Sequence, residues 1–356
     1  MKTETKDNYF EAIRGICIIL VVLIHIQNGS AYKELVAYPF NRSFWLILRQ
    51  FINFPVAVFV FLTAYFTNIT KVNDKPKVYF TSRGKRLLIP FLVWSIFYSA
   101  ITIAKVGLKG SILKVLIKIM VGQAAAPLYY IVVLMQLVLI TPILIKCVSN
   151  KYLNLMTFCI TPIYLVMVYV YTYLTKQQLP LYGTIFPAWL IFYYLGLYIK
   201  INGFASPKKE KASSHAILLV LGALVLSLIE GYILLHSEMT MAFASSQIKA
   251  SSFIYALSII NLILVLKAKD VKIKEGFIKK DGIITKIGNY SYGIFYVHLF
   301  WLVIIEKLTE HIPYIHSILP IYELIQISIT LALSILTIIA TRKIIGKKQA
   351  SKYFGF

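Results

Sequence analysis

The sequence predicts an all-α, polytopic integral membrane protein of about ten transmembrane helices, with both termini cytoplasmic. Three observations predict it. Of 356 residues, 59% are hydrophobic and only 14% are charged, with a mean hydropathy of +0.75; a soluble chain carries about a quarter charged residues to hydrate its surface. Apolar runs recur along the whole chain, each close to the roughly 20 residues that cross a hydrocarbon core of about 30 Å. The cations between these runs crowd into alternate connections, as the positive-inside pattern requires.

In chain order the runs are Tyr9–Asn28, Phe51–Asn68, Leu87–Lys105, Pro127–Cys147 and Tyr152–Leu174. They continue with Tyr182–Lys200, Ser214–His236, Ala250–Lys267, Ile287–Lys307 and Ser317–Ile345. The first run has no small-residue cleavage site and holds Arg14 and His25, so it reads as a retained helix and not a signal peptide. Ser111–Val121, rich in lysine, reads as an amphipathic helix on the outer interface. The longest gaps, Ala31–Gln50, Val106–Ala126 and Ala268–Lys286, are too short for a second folded unit. Residues 1–356 are therefore expected to form one transmembrane domain with no fused soluble module.

A net charge of +23 in a soluble protein would point to nucleic acid. Here the placement of the cations argues for a lipid bilayer instead, and no nucleic-acid partner is expected. With the N-terminus inside, twenty-six cations fall in the inner connections and ten in the outer ones, Arg49 and Lys249 among the latter. Lys71–Arg86, Lys267–Lys286 and Arg342–Lys352 carry most of the inner set. Cys17, Cys147 and Cys159 lie in apolar runs without a CxxC pair, so they read as buried thiols.

Ionisable groups inside a bilayer are costly, and each is a candidate for function. Arg14 and His25 are eleven residues apart in the first run, about three helical turns, so both project from one face about 16 Å apart. An arginine suits a phosphate and a histidine suits proton transfer. Taken singly, Arg14 could be a snorkelling anchor and His25 a core histidine satisfied by a neighbouring helix. His298, in the ninth run, lies at a depth similar to His25 to within about a turn; the two could share one cavity. For Tyr292 and Tyr296 beside it, aromatic packing is the plainer reading. Glu230, in the seventh run, is the clearest intramembrane carboxylate. It could orient a histidine ring by accepting its N–H, or lie near the outer interface. Arg83 and Arg86 open the third run at its inner end, either as positive-inside anchors or as a cationic mouth for a phosphorylated ligand. No Walker loop, HExxH motif or acidic cluster occurs, so no metal is expected.

Together these residues resemble the acyltransferase type-three family, bacterial membrane enzymes that O-acylate sugars and envelope glycans. The family's signature of an arginine, ten residues and a histidine in the first helix is met by Arg14 and His25. Arg83 and Arg86 followed by Leu87-Leu88-Ile89-Pro90 and Trp94, Leu128-Tyr129-Tyr130 with Thr141-Pro142, and Ser291-Tyr292 with His298 match in order along the chain. In the second helix the family usually carries Phe-Phe followed by Ser-Gly, where this chain reads Phe59-Val60-Phe61-Leu62-Thr63-Ala64-Tyr65. That departure suggests a divergent branch nearer the exopolysaccharide-modifying proteins of intercellular-adhesin type.

The resemblance implies a multi-pass enzyme of the bacterial cytoplasmic membrane that moves an acyl group, acetyl by the family's habit, from acyl-CoA to a glycan hydroxyl. Acyl-CoA would be a co-substrate, and no bound cofactor is implied. Arg14, Arg83 and Arg86 would hold the donor, and His25 and His298 would carry the chemistry; Glu230 joins them as a candidate on its own intramembrane position and not through the resemblance. Two other classes remain open on the sequence: an exporter of a polysaccharide or its intermediate, and a non-catalytic component of a polysaccharide synthase complex.

Overall fold

The structure, a computed structural model, describes residues 7–27, 39–107, 111–205, 212–237, 240–268, 282–309 and 319–356. Lys33, Lys109, Gly276, His311 and most of the basic connections after Lys200 and Lys267 lie outside the described residues. Helix α1 spans Asn8–Ile26 and starts where the Asp7 side chain accepts the N–H of Tyr9. Helices α2 (Pro39–Phe51) and α3 (Pro55–Tyr65) form one apolar crossing, interrupted at 52–54. The interruption is the work of Pro55, whose ring would clash with the carbonyl four residues back. After α4 (Ile69–Asp74) comes α5 (Pro76–Val106).

That 31-residue helix absorbs much of the basic stretch expected to be a loop. Arg83 and Arg86, expected to open the third run, sit within this helix, three residues apart on one face. Next come α6 (Ile112–Met120) and a 3₁₀ turn over Ala126–Leu128. The 3₁₀ turn leads into α7 (Tyr129–Val148), and α8 (Lys151–Thr175) follows. A second 3₁₀ turn, Phe186–Ala188, precedes α9 (Leu190–Asn202). The chain ends with α10 (Ala212–His236), α11 (Met241–Ala244), α12 (Ala250–Ala268), α13 (Ile283–Thr309), α14 (Leu319–Ile345) and α15 (Lys347–Phe354).

Among the described residues there is no strand, and 9 helical stretches are long and apolar enough to cross a membrane. Nine of the ten expected runs overlap them. The sixth, Tyr182–Lys200, differs: its helical part, α9, has 13 residues, about 20 Å. Pro187 lies in the turn before it. Phe192, Tyr193, Tyr194 and Leu197 of α9 are almost wholly buried, so α9 is wrapped by protein. Irregular backbone at membrane depth is tolerated where protein surrounds it or it lines a cavity, and residues 181–184 do line one.

Elsewhere the surface is what lipid requires. Leu155, Met156 and Ile163 of α8 and Leu218 and Leu219 of α10 are each at least 60% exposed, an apolar surface too broad for a water-soluble monomer. Cys17 is buried and Cys147 half-buried, but Cys159 is exposed on α8. The expectation of three buried thiols is corrected at Cys159, because α8 turns most of its circumference outward. Helix α6 buries none of its residues. Its Ile112, Leu113, Leu116, Ile117 and Met120 share one face, with Lys114 and Lys118 opposite, the form of a helix lying on a bilayer surface.

Two close helix contacts position the interior. A Cβ at Gly288 of α13 would sit 1.8 Å from the Glu11 carbonyl oxygen, and one at Gly15 of α1 would sit 2.1 Å from that of Ile284. Only glycine lets these backbones touch. The helices run parallel, with Glu11 beside Gly288 at one end and His25 beside His298 further along. A Cβ at Gly196 of α9 would likewise come within 2.5 Å of the Phe61 carbonyl and 2.8 Å of the Ala64 Cβ. The space that a glycine at position 64 would free is supplied here by Gly196.

Candidate active site

Helix α1 carries two polar residues into two neighbouring cavities. His25 lines one of about 670 Å³, and Arg14 lines another of about 430 Å³. Phe59, Tyr130 and Phe295 line both. The Tyr130 and Phe295 rings meet edge to face at 5.4 Å, with Phe59 6.5 Å from Tyr130. Three aromatic side chains thus stand between the arginine cavity and the histidine cavity.

The two histidines come together but do not share the cavity, which His25 lines and His298 does not. Their ring centroids are 5.1 Å apart at 44°. His25 is half-buried and faces the cavity, while His298 is fully buried behind it. Nδ1 of His298 lies 2.9 Å from the Ile294 carbonyl oxygen. A carbonyl can only accept, so Nδ1 carries the proton and Nε2 is left as a bare acceptor. That Nε2 is buried and has no hydrogen-bond partner among the described residues. Tyr292 and Tyr296 meet edge to face at 5.2 Å. Tyr296 is buried and stacks on Trp94 at 11° and 6.2 Å, and Tyr98 donates to its carbonyl at 2.7 Å.

All three arginines line the smaller cavity, together with Ser291 and Tyr292. They are not equivalent. Arg14 donates to Glu11 at 2.6 Å and lies over the Phe66 ring, so part of its charge is already answered. Arg83 and Arg86 have no ion-pair partner among the described residues. Arg86 lies over the Tyr292 ring, whose hydroxyl donates to the Arg86 carbonyl at 2.9 Å.

Glu230 is placed elsewhere. Its carboxylate accepts from Tyr169, from the Ser251 hydroxyl, from the Ser251 N–H at 2.9 Å and from Lys249 at 3.4 Å. No histidine is among these partners, which corrects the expectation that Glu230 orients one. Its carboxylate anchors a polar tie between helices. Lys249 also donates to the Ser227 carbonyl and hydroxyl at 3.0 Å each, and Ser227 donates to Gln50 at 2.8 Å. Gln50 and Asn53 in turn donate to the carbonyls of Ala244 and Ser245. This tie holds residues 244–249, and Ser245 to Ile248 form a wall of the histidine cavity. Burial pushes the Lys249 ammonium down to about 8 against the pull of Glu230.

Arg49 and Lys249, counted from the sequence as outer-loop cations, are interior: Arg49 is 6% exposed and Lys249 0%. Arg49 lines the histidine cavity, and sequence reasoning missed it. The available signal was the polar trio Arg49, Gln50 and Asn53, which flanks an apolar run where a plain loop needs no amides.

A family model described as an acyltransferase domain matches residues 7–341. No curated protein and no solved structure matches the chain.

Proposed function

The chain belongs to the acyltransferase type-three family, whose model spans nearly all of it, and from that premise we propose a membrane O-acyltransferase. It moves an acyl group, acetyl in the simplest case, from acyl-CoA to a hydroxyl of a cell-envelope or extracellular glycan. The observation that carries this reading is His25, facing a cavity with His298 behind it and the arginine cavity beside it. Residues 1–356 act as one transmembrane domain in a bacterial cytoplasmic membrane, with the arginine end of α1 toward the cytoplasm.

Acyl-CoA is a polyanion with a long thin arm, and the residues present fit it. Arg83 and Arg86, in no ion pair among the described residues, suit its phosphates, with Arg14 in support. Movement of Tyr130 and Phe295 would let the arm reach His25. At His25 the acceptor hydroxyl gives up its proton as its oxygen attacks the thioester carbonyl. The C–O bond forms, the C–S bond breaks, and the proton passes from His25 to the departing thiolate. General-base help of this kind is worth about 10²–10⁴-fold. A small approach of the two rings would let the bare Nε2 of His298 accept an N–H of His25 and hold its other nitrogen toward the cavity. His298 is thus a positioning residue, in the role first expected of Glu230.

The test is transfer of radiolabel from acetyl-CoA to membrane glycan. His25→Ala is expected to abolish it at normal protein abundance. Near-normal turnover in that variant would remove His25 from the general-base role.

A further inference from the structure

The histidine cavity has a charge character that proton transfer does not require. Arg49 lines it from α2, 6% exposed. Its Nη1 reaches the Ile24 carbonyl at a long 3.4 Å, and its guanidinium lies 5.8 Å from the Trp45 ring. Its Nε is buried with no hydrogen-bond partner, and no carboxylate pairs with it among the described residues. Lys118, from the surface helix α6, lines the same cavity, and among the described residues no Asp or Glu does. A desolvated guanidinium without a counter-ion is costly, and an anion that reached it would gain a strong charge-assisted contact.

Resting on the acyltransferase reading, we propose that the histidine cavity selects an anionic acceptor, whose phosphate or carboxylate is bound by Arg49, with Lys118 at the mouth. The group can come from an acidic sugar or from the phosphate of a lipid-carried sugar. Either source presents the same two-oxygen face to a guanidinium fork. The acceptor hydroxyl then lies toward His25, and the anion toward α2.

The experiment uses the full chain in nanodiscs with acetyl-CoA and five acceptors. These are methyl glucoside, methyl glucuronide, glucose 1-phosphate, a glucosyl polyprenyl phosphate and a neutral glucosyl lipid. Wild type is expected to favour anionic over matched neutral acceptors by about tenfold or more in kcat/KM, the worth of one charge-assisted contact. Arg49→Gln should collapse that ratio toward one, chiefly through KM, and Arg49→Lys should recover part of it. Lys118→Gln, exposed and outside the core, should lower the ratio by a smaller factor. Preference for both soluble anions identifies an acidic sugar; preference confined to the lipid pair identifies a lipid phosphate.

A ratio unchanged in Arg49→Gln, or no anionic preference in wild type, overturns the proposal. So does an equal fall in kcat on neutral and anionic acceptors, which would make Arg49 an oxyanion donor or a structural residue. If no acceptor is acylated at all, the acyltransferase reading fails by itself. The anion site is then decided by heat stability, which glucuronide and glucose 1-phosphate should raise over glucoside in wild type but not in Arg49→Gln.

Discussion

The arginines of the smaller cavity differ in what their loss would expose. Removing Arg14 leaves Glu11, whose side chain is 7% exposed, without its partner at 2.6 Å; the damage then mixes folding with binding. Arg83 and Arg86 lack such a partner, so their variants report on the donor. Arg86→Ala is expected to weaken acyl-CoA binding by about ten- to a hundredfold, the range of a charge-assisted phosphate contact. Arg86→Lys should recover part of that loss, and added salt should narrow the gap between variants. Affinity measured in nanodiscs for the wild type, both single variants and the Arg83/Arg86 double variant decides it. Unchanged affinity throughout would make these side chains membrane anchors.

Between elements, the distance from His25 to His298 is set by backbone contact remote from both. Gly288→Val must push α1 and α13 apart, since its Cβ meets the Glu11 carbonyl. Overpacking of this kind costs about 1–3 kcal/mol, and the larger effect is expected on turnover as the histidines part. Melting temperature and acyl transfer, read on one preparation, separate the two effects; full activity at reduced stability would show that the histidine pair tolerates the shift.

The tie between α10 and α12 behaves differently. Breaking a buried ion pair from one side costs up to about 3–5 kcal/mol, less here because the Glu230 side chain is 20% exposed. Glu230→Gln and Lys249→Met should each destabilise the protein and distort the histidine cavity, and the double variant should recover most of the stability.

The Lys249 ammonium, held near 8 in the folded protein, loses its proton there before it does in the unfolded chain, whose lysines titrate near about 10.4. This one group therefore makes folding more favourable as pH rises from about 8 toward 10.4. The wild type should gain on Lys249→Met across that window, as thermal unfolding at stepped pH would show. A constant difference between them would mean that Lys249 titrates normally.

On the scale of the whole molecule, orientation follows from where the cations lie. Removing the interior Arg49 and Lys249 from the outer tally steepens the charge bias between alternate connections. A cysteine at Gln177 should react with an impermeant reagent on intact cells, and one at Asp74 should not, both positions being exposed. Cys159, exposed on α8, is best replaced beforehand. External labelling at Asp74 would reverse the bundle and carry the arginine cavity to the outer face. The breaks before Pro55 and at Pro187 are of the kind transporters use around a bound solute. Here the residues around both breaks face the histidine cavity, within a chain whose family is an acyltransferase one.

The sequence by itself determined the membrane class, nearly every crossing and the stripe that carries Arg14 and His25. Those are consequences of local composition and of the 3.6-residue turn, and bilayer thickness scales them directly. It also put His298 at the right depth, because two helices crossing the same slab share a coordinate. What the tertiary structure decided was everything that depends on which side chains meet. Glu230 looked available for a histidine, but its partners are Lys249, in the turn after α11, and Ser251, at the start of α12. Arg49 looked like a loop cation because hydropathy cannot tell a helix end at the surface from one folded against a cavity. The sixth crossing read as a full span because its apolar residues are real, yet they are buried by protein and not by lipid. Hydropathy reports transfer out of water, and a protein interior and a bilayer satisfy it equally well.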